Sequence, residues 1–180
     1  NAGTAREREL ENVDITDPRA LADFAEQERV LLTVVGPEAP LADGIVNLFR
    51  ARGLRIFGPT KEAAQLESSK DFAKRFMARH NIPTARFATF SERASAHAHI
   101  DRHGAPIVIK ADGLAAGKGV VVAMSLKEAH AAIDNMLPDK CVAGPDGATV
   151  ARVVIEEYLE GEEASFIVMV DGKNVLPLAS

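Results

Sequence analysis

Apolar positions along the chain fall into short blocks that alternate between two periods. Val30-Leu31-Leu32-Thr33-Val34-Val35 is a continuous run rich in β-branched residues and predicts a buried parallel strand. Gly36-Pro37-Glu38-Ala39-Pro40 breaks it. Ile45, Val46, Leu48 and Phe49 then recur at helical spacing as far as Arg52-Gly53. Leu54-Arg55-Ile56-Phe57 predicts the next strand, stopped by Gly58-Pro59-Thr60. Upstream, Thr16-Asp17-Pro18 reads as a helix start, with Leu21, Phe24 and Ala25 on its apolar face. Strand, helix, strand is the unit from which parallel sheets are built.

The texture changes after Gly58. Thr60 to His80 predicts a charged helical stretch, with Ser68-Ser69-Lys70-Asp71 as a capping box, ended by Asn81-Ile82-Pro83. A further helix runs from Ser91 to about His103-Gly104. Ala105 to Lys110 and Val120 to Met124 predict strands. Ser125-Leu126-Lys127-Glu128 is a second capping box, opening a helix to about Leu137, and Pro138 to Ala148 reads as loop. Val153 to Ile155 and Ala164 to Val170 predict the last clear strands. The domain boundary falls between Gly58 and Ser69.

Composition narrows the function classes. The chain has 180 residues, 47% of them apolar, enough for a substantial core; net charge is −5. With no run of Lys or Arg, nucleic acid and anionic membrane are poor partners. Cys141 is the single cysteine, so no intrachain disulfide can form, which suits a reducing, cytoplasmic setting. No stretch has the unbroken apolar length of a membrane span. No signal peptide is visible. The opening Asn1-Ala2-Gly3, without Met, suggests an interior piece of a longer protein.

One stretch carries candidate chemistry: IVIKADGLAAGKGVVVA, residues 107–123. A Walker A loop needs four residues between its first Gly and Gly-Lys-Ser/Thr, but Gly113 to Gly117 leaves three and Gly119 follows Lys118. A dinucleotide fingerprint opens a helix, whereas Val120-Val121-Val122 is strand. The pattern therefore predicts a β-hairpin tip. Gly113, Gly117 and Gly119 would let backbone N–H groups approach a phosphate, with Lys110 and Lys118 adding charge. A hairpin with solvated lysines fits the same spacing. A second stretch, VIEEYLEGEEASF at residues 154–166, is a strand running into an acidic connector. It could hold a flat base and ribose hydroxyls, or be an ordinary acidic turn. His97 and His99 point to different helix faces and make a poor metal pair. His80, His103, His130 and Asp134 read as solvated, and Cys141 is assigned no chemistry.

These two stretches, with VVGPEAPLADG, IFGPT and SSKDFAKRFM upstream, resemble the phosphoribosylamine–glycine ligase family of ATP-grasp enzymes over the whole chain. The resemblance implies an α/β fold: a partial parallel-sheet, Rossmann-like N-terminal domain, then the first part of an ATP-grasp domain with a glycine-rich β-hairpin lid. Its implied divisions are residues 1–59, a helical connector at 60–90, the lid subdomain at 91–159 and the start of a second subdomain at 160–180. It implies ligation of glycine to 5-phosphoribosylamine with ATP, through a glycyl phosphate, in purine synthesis. Lys70, Lys110, Gly113, Gly117, Lys118 and Gly119 would serve the phosphates. Glu156, Glu157 and Leu159 would hold adenine, with the Glu156 carboxylate accepting from its exocyclic amine, and Glu163 would hold ribose. Gly36, Pro37 and Glu38 would face phosphoribosylamine.

Magnesium ligands and the glycine-fixing Arg are expected beyond Ser180, so residues 1–180 alone are expected to be inactive. One departure from the family pattern falls at Asp139 to Pro145, in place of a Phe-Gly-x-Ala-Gly stretch. Another ATP-grasp ligase or carboxylase, a non-catalytic nucleotide-binding module and an interaction domain are the competing readings.

Overall fold

The computed structural model describes residues 3–114, 119–137 and 151–178. The expected loop at 138–148, with Cys141 and the departure at 139–145, lies outside the described residues, as do Gly117 and Lys118. After a 3-10 turn at Thr4–Arg6 comes helix α1 (Pro18–Gln27). Asp17 accepts from Ala20 N at 2.8 Å and Pro18 occupies the first turn, so the start read from the sequence holds. Strands β1 (Thr33–Val34) and β2 (Ile56–Phe57) pair in parallel, Thr33 opposite Ile56. Between them run α2 (Glu38–Asp43) and α3 (Ile45–Ala51).

Two expectations are corrected here. The helix anticipated around Ile45 begins earlier and is split, because Gly44 adopts φ +94° between α2 and α3. That left-handed conformation costs an L-residue about 1–2 kcal/mol. The strand expected to be buried over 30–35 is laddered for two residues only, and Leu31 and Val34 are 75% and 66% exposed. The cause is one-sided packing. Val35 and Ile56 pack onto a core of Ala22, Ala25, Ile45, Val46 and Phe49, while Val34 and Phe57, alternating with them, face away from it and Leu31 lies before the ladder.

The helical stretch at 60–80 is likewise two helices, α4 (Lys61–Ser68) and α5 (Lys70–Arg79). Ser69 breaks from helical backbone, and its hydroxyl accepts from Phe72 N at 3.2 Å. The cap is thus Ser69 rather than Ser68, and Asp71 is released for other partners.

The second unit is a sheet in the order β3-β6-β4-β5, all neighbours antiparallel. Its strands are β3 (Phe87–Phe90), β4 (Ile107–Ala111), β5 (Val120–Ala123) and β6 (Val153–Glu157). Helices α6 (Arg93–His103) and α7 (Leu126–Met136) cover one face. There Ile107, Ile109, Val153 and Ile155 meet Ala96, Ile100, Ala129 and Ile133 in a buried core. The β4–β5 hairpin is the one the glycine pattern predicts. The second helix start forms at Ser125: Glu128 N donates to Ser125 Oγ at 3.3 Å, and the Glu128 carboxylate accepts from Met124 N, one residue before the cap, at 2.8 Å. α6 starts at Arg93 instead of Ser91, with Glu92 in extended backbone before it. β3 was not legible, and β6 extends past Ile155 to Glu157. A last antiparallel hairpin pairs β7 (Val168–Val170), shorter than the strand expected over Ala164 to Val170, with β8 (Val175–Pro177), which was not expected. Among the described residues no helix is long and apolar enough to cross a membrane.

Candidate functional site

Strand alternation sends Ile107, Ile109, Val153 and Ile155 to the helices and leaves Val108, Lys110, Val154 and Glu156 on the opposite face. Register then places the charges. Val108 pairs with Glu156 and Lys110 with Val154, so Lys110 and Glu156 are diagonal neighbours, within reach for long side chains. Lys110 Nζ lies 3.0 Å from Glu156 Oε1. Helix α5 supplies Lys70 and Lys74, one turn apart on one helix side. Lys74 Nζ lies 2.8 Å from Glu156 Oε2, and Lys70 Nζ donates to the Gly113 carbonyl at 2.8 Å. Three lysines thus gather where β4 passes into the glycine loop.

Asp112 docks α5 onto that loop. Its carboxylate accepts from Ser69 Oγ at 3.1 Å, Asp71 N at 3.3 Å and Gly113 N at 3.1 Å, and Arg152 Nη2 lies 2.7 Å away. A resident carboxylate therefore already occupies the α5 N-terminus, where the helix dipole favours negative charge. Asp71, turned inward, accepts from Thr89 Oγ1 at 2.6 Å and Arg75 Nε at 2.9 Å.

Burial opposes ionisation of Asp71, but the hydrogen bonds from Thr89 and Arg75 and the charges of Arg75 and Arg152 outweigh it. They hold its carboxyl below the usual range. A carboxyl depressed on folding contributes stability above its unfolded value, near 4, and that stability is lost as pH falls through the lower folded value. In the intact gene product, Asp71→Asn is expected to lower stability by about 1–3 kcal/mol at pH 7. Its melting temperature should converge with wild type as pH falls through the lowered folded value. Thermal melts across pH check this, and a constant gap would detach the effect from ionisation.

The connector's side chains are partly engaged within the protein. Glu157 does not present its carboxylate to a ligand: it accepts from Arg86 N at 2.8 Å and Arg86 Nε at 2.7 Å, which hold it below the usual range. Glu157 N donates to Arg86 O at 3.0 Å, so of its peptide groups the N–H is committed. Leu159 is 63% exposed, and Glu163 is also exposed. Glu156 is buried between two lysines, yet its Oε1 has no aligned hydrogen-bond donor, because Lys110 meets it by charge alone. A buried acceptor without a donor is costly in isolation. A cavity of about 400 Å³ adjoins the connector, lined by His99, His103, Ile107, Ile155, Glu157 and Tyr158 among others. Its lining includes Arg86 and Glu156 but none of the lysines, so the lysine cluster rather than this cavity marks the candidate anion site.

Gly36, Pro37 and Glu38 are exposed and follow β1 of the parallel sheet, with Pro37 capping α2 and Glu38 opening it. Gly113 has φ +101°, and Gly119 is buried with its carbonyl accepting from Ala111 N at 2.7 Å. Lys74, Asp112 and Arg152 escaped the sequence reading. The i, i+4 spacing of Lys74 from Lys70 was the one available signal. His130 and Asp134 are not simply solvated: His97 contacts His130 ring to ring, His97 Nε2 lies 3.0 Å from Asp134, and His130 Nε2 lies 3.0 Å from Asp101. Among the described residues no group of three or more His, Cys, Asp or Glu could hold a metal.

An antiparallel sheet backed by two helices, with a glycine hairpin and a strand-borne lysine on its open face, defines an ATP-grasp fold. A RimK domain ATP-grasp structure from Sphaerobacter thermophilus shares it, with TM-score 0.58 at 15% identity over 83% of this chain and 63% of that one. The chain belongs to the phosphoribosylglycinamide synthetase family: residues 1–67 match its N domain and residues 68–180 its ATP-grasp (A) domain. It is 69% identical over its full length to a phosphoribosylamine–glycine ligase of Ralstonia nicotianae. The crystal structure of phosphoribosylamine–glycine ligase from Thermotoga maritima matches with TM-score 0.71 at 31% identity, covering 99% of this chain and 41% of that chain. The chain spans 42% of the length of the Ralstonia relative.

Proposed function

We propose that the intact gene product joins glycine to 5-phosphoribosylamine, converting ATP to ADP and phosphate through a glycyl phosphate. The observation that carries this reading is the succession of the family's N and ATP-grasp domains across the whole chain. The lysine cluster supports it, being a concentration of fixed cations beside a glycine hairpin of the kind that phosphoryl transfer requires. In this reading Lys110, Lys70 and the hairpin residues Gly113, Gly117, Lys118 and Gly119 hold the phosphates. Oε1 of Glu156 and the Glu157 carbonyl accept from the adenine amine, the Leu159 N–H donates to the ring, and Glu163 meets ribose. Gly36, Pro37 and Glu38 face phosphoribosylamine. Magnesium, held by residues outside this chain, would neutralise phosphate charge. Residues 1–59 serve the amine substrate, 60–90 connect, 91–159 form the lid subdomain and 160–180 begin its partner.

ADP release by the intact gene product tests the reading. Release should require glycine and fresh 5-phosphoribosylamine together. ATP binding without turnover would replace it with a non-catalytic module, and bicarbonate-dependent release with a carboxylase.

A further inference from the structure

Lys74 has no part in the assignments above, yet its side chain is only 9% exposed. A buried lysine is rare unless its charge is paired. Its ammonium faces Glu156 Oε2 at 2.8 Å, Thr84 Oγ1 at 2.7 Å and Ala85 O at 3.5 Å. Three acceptors match its three N–H groups, so none is left for a ligand. Glu156 is therefore held unequally. Lys74, buried, lies 2.8 Å from one oxygen, while Lys110, partly exposed, lies 3.0 Å from the other. The triad of two ammonium groups and one carboxylate carries a net charge of +1, and the mobile share of that charge is Lys110, whose side chain is 27% exposed.

We propose that Lys74 is a positioning residue that keeps Lys110 available to the nucleotide. Lys74 neutralises Glu156 from the protein side, so the carboxylate does not capture Lys110 as its sole counterion. Without Lys74, Glu156 and Lys110 close into a neutral pair, and the ammonium is withdrawn from the phosphates. The inference rests on the assignment of Lys110 to the ATP site.

The test uses the intact gene product with three variants: Lys74→Met, Lys74→Met/Glu156→Gln and Lys110→Ala. Lys74→Met is expected to raise KM for MgATP about tenfold, with KM for glycine unchanged and kcat altered less than KM. Adding Glu156→Gln should restore KM to within about threefold of wild type, since the amide no longer holds Lys110 by charge. The double variant buries no unpaired charge and so should fold even where Lys74→Met does not. Thr84→Val, which removes one acceptor from Lys74, should shift KM in the same direction by about two- to threefold. An unchanged KM in Lys74→Met, or a double variant no better than the single, overturns the positioning role, because a merely structural lysine would not be rescued by discharging Glu156. Wild-type ATP use in Lys110→Ala overturns the nucleotide-site assignment itself, and this inference with it.

Discussion

Replacing Lys110 by alanine in the intact gene product is expected to lower kcat/KM for MgATP about a hundredfold. The lysine leaves the sheet at a fixed place: it pairs with Val120 on β5 and Val154 on β6, so its stem cannot drift along the strand. An ammonium about 4 Å from a phosphate charge is attracted by about 4 kcal/mol at an effective dielectric near 20. Part of that is offset by desolvation and by the hold of Glu156, and a hundredfold change corresponds to about 2.7 kcal/mol. Lys118→Ala should lose less, because a lysine between two glycines surrenders more conformational entropy on ordering. Steady-state kinetics of both variants decide. An equal or larger loss at Lys118 would contradict the ranking.

Glu156→Ala is expected to be among the most destabilising single changes in the sheet unit. It strands Lys74, buried at the foot of the sheet with only Thr84 and Ala85 for company, and brings Lys110 no counter-charge. Breaking a buried ion pair from one side costs about 3–5 kcal/mol, since the remaining charge cannot return to water without unfolding. The thermal transition of that unit should fall by roughly 10 °C. Lys74→Met in the same background should recover much of the loss, as replacing both members removes the stranded charge. A fall of under about 2 °C would mean that water reaches Lys74.

The two effects separate cleanly in the residues involved. Lys110 acts on the ligand with little burden on the fold, being partly exposed at the sheet's open face. Glu156 carries both tasks, which is why the lysine variants rather than the glutamate variants resolve the site.

Much of this could be read from the chain. The Asp17-Pro18 helix start, the hairpin around Gly113 and Gly119 and the Ser125–Glu128 box depend on hydrogen bonds within a few residues, and the structure places each where the pattern does. Lys110 could be singled out because a lone cation ending an apolar strand before glycines is a local anomaly. Other features were not local. β3 is short and has no turn signal of its own, and it is a strand because β6 offers it a ladder, Phe87 opposite Glu156. The capping box at Ser68–Asp71 marks a helix start there, but the pairing of the Ser69 hydroxyl with Asp112, 43 positions away, is not local.

By itself the sequence determined the strand–helix–strand opening, the glycine hairpin, the family and the set of charged residues available to a site. Only the tertiary structure decided which of those charges meet. Register on β4 and β6 sets Lys110 diagonal to Glu156, and the docking of α5 brings Lys74 to its second oxygen and Lys70 to the loop. Alternation tells which face of a strand a side chain takes, but not which helix will lie across that face. Coulomb attraction falls with distance and with solvent, so the same residues carry different chemistry until the packing has set both.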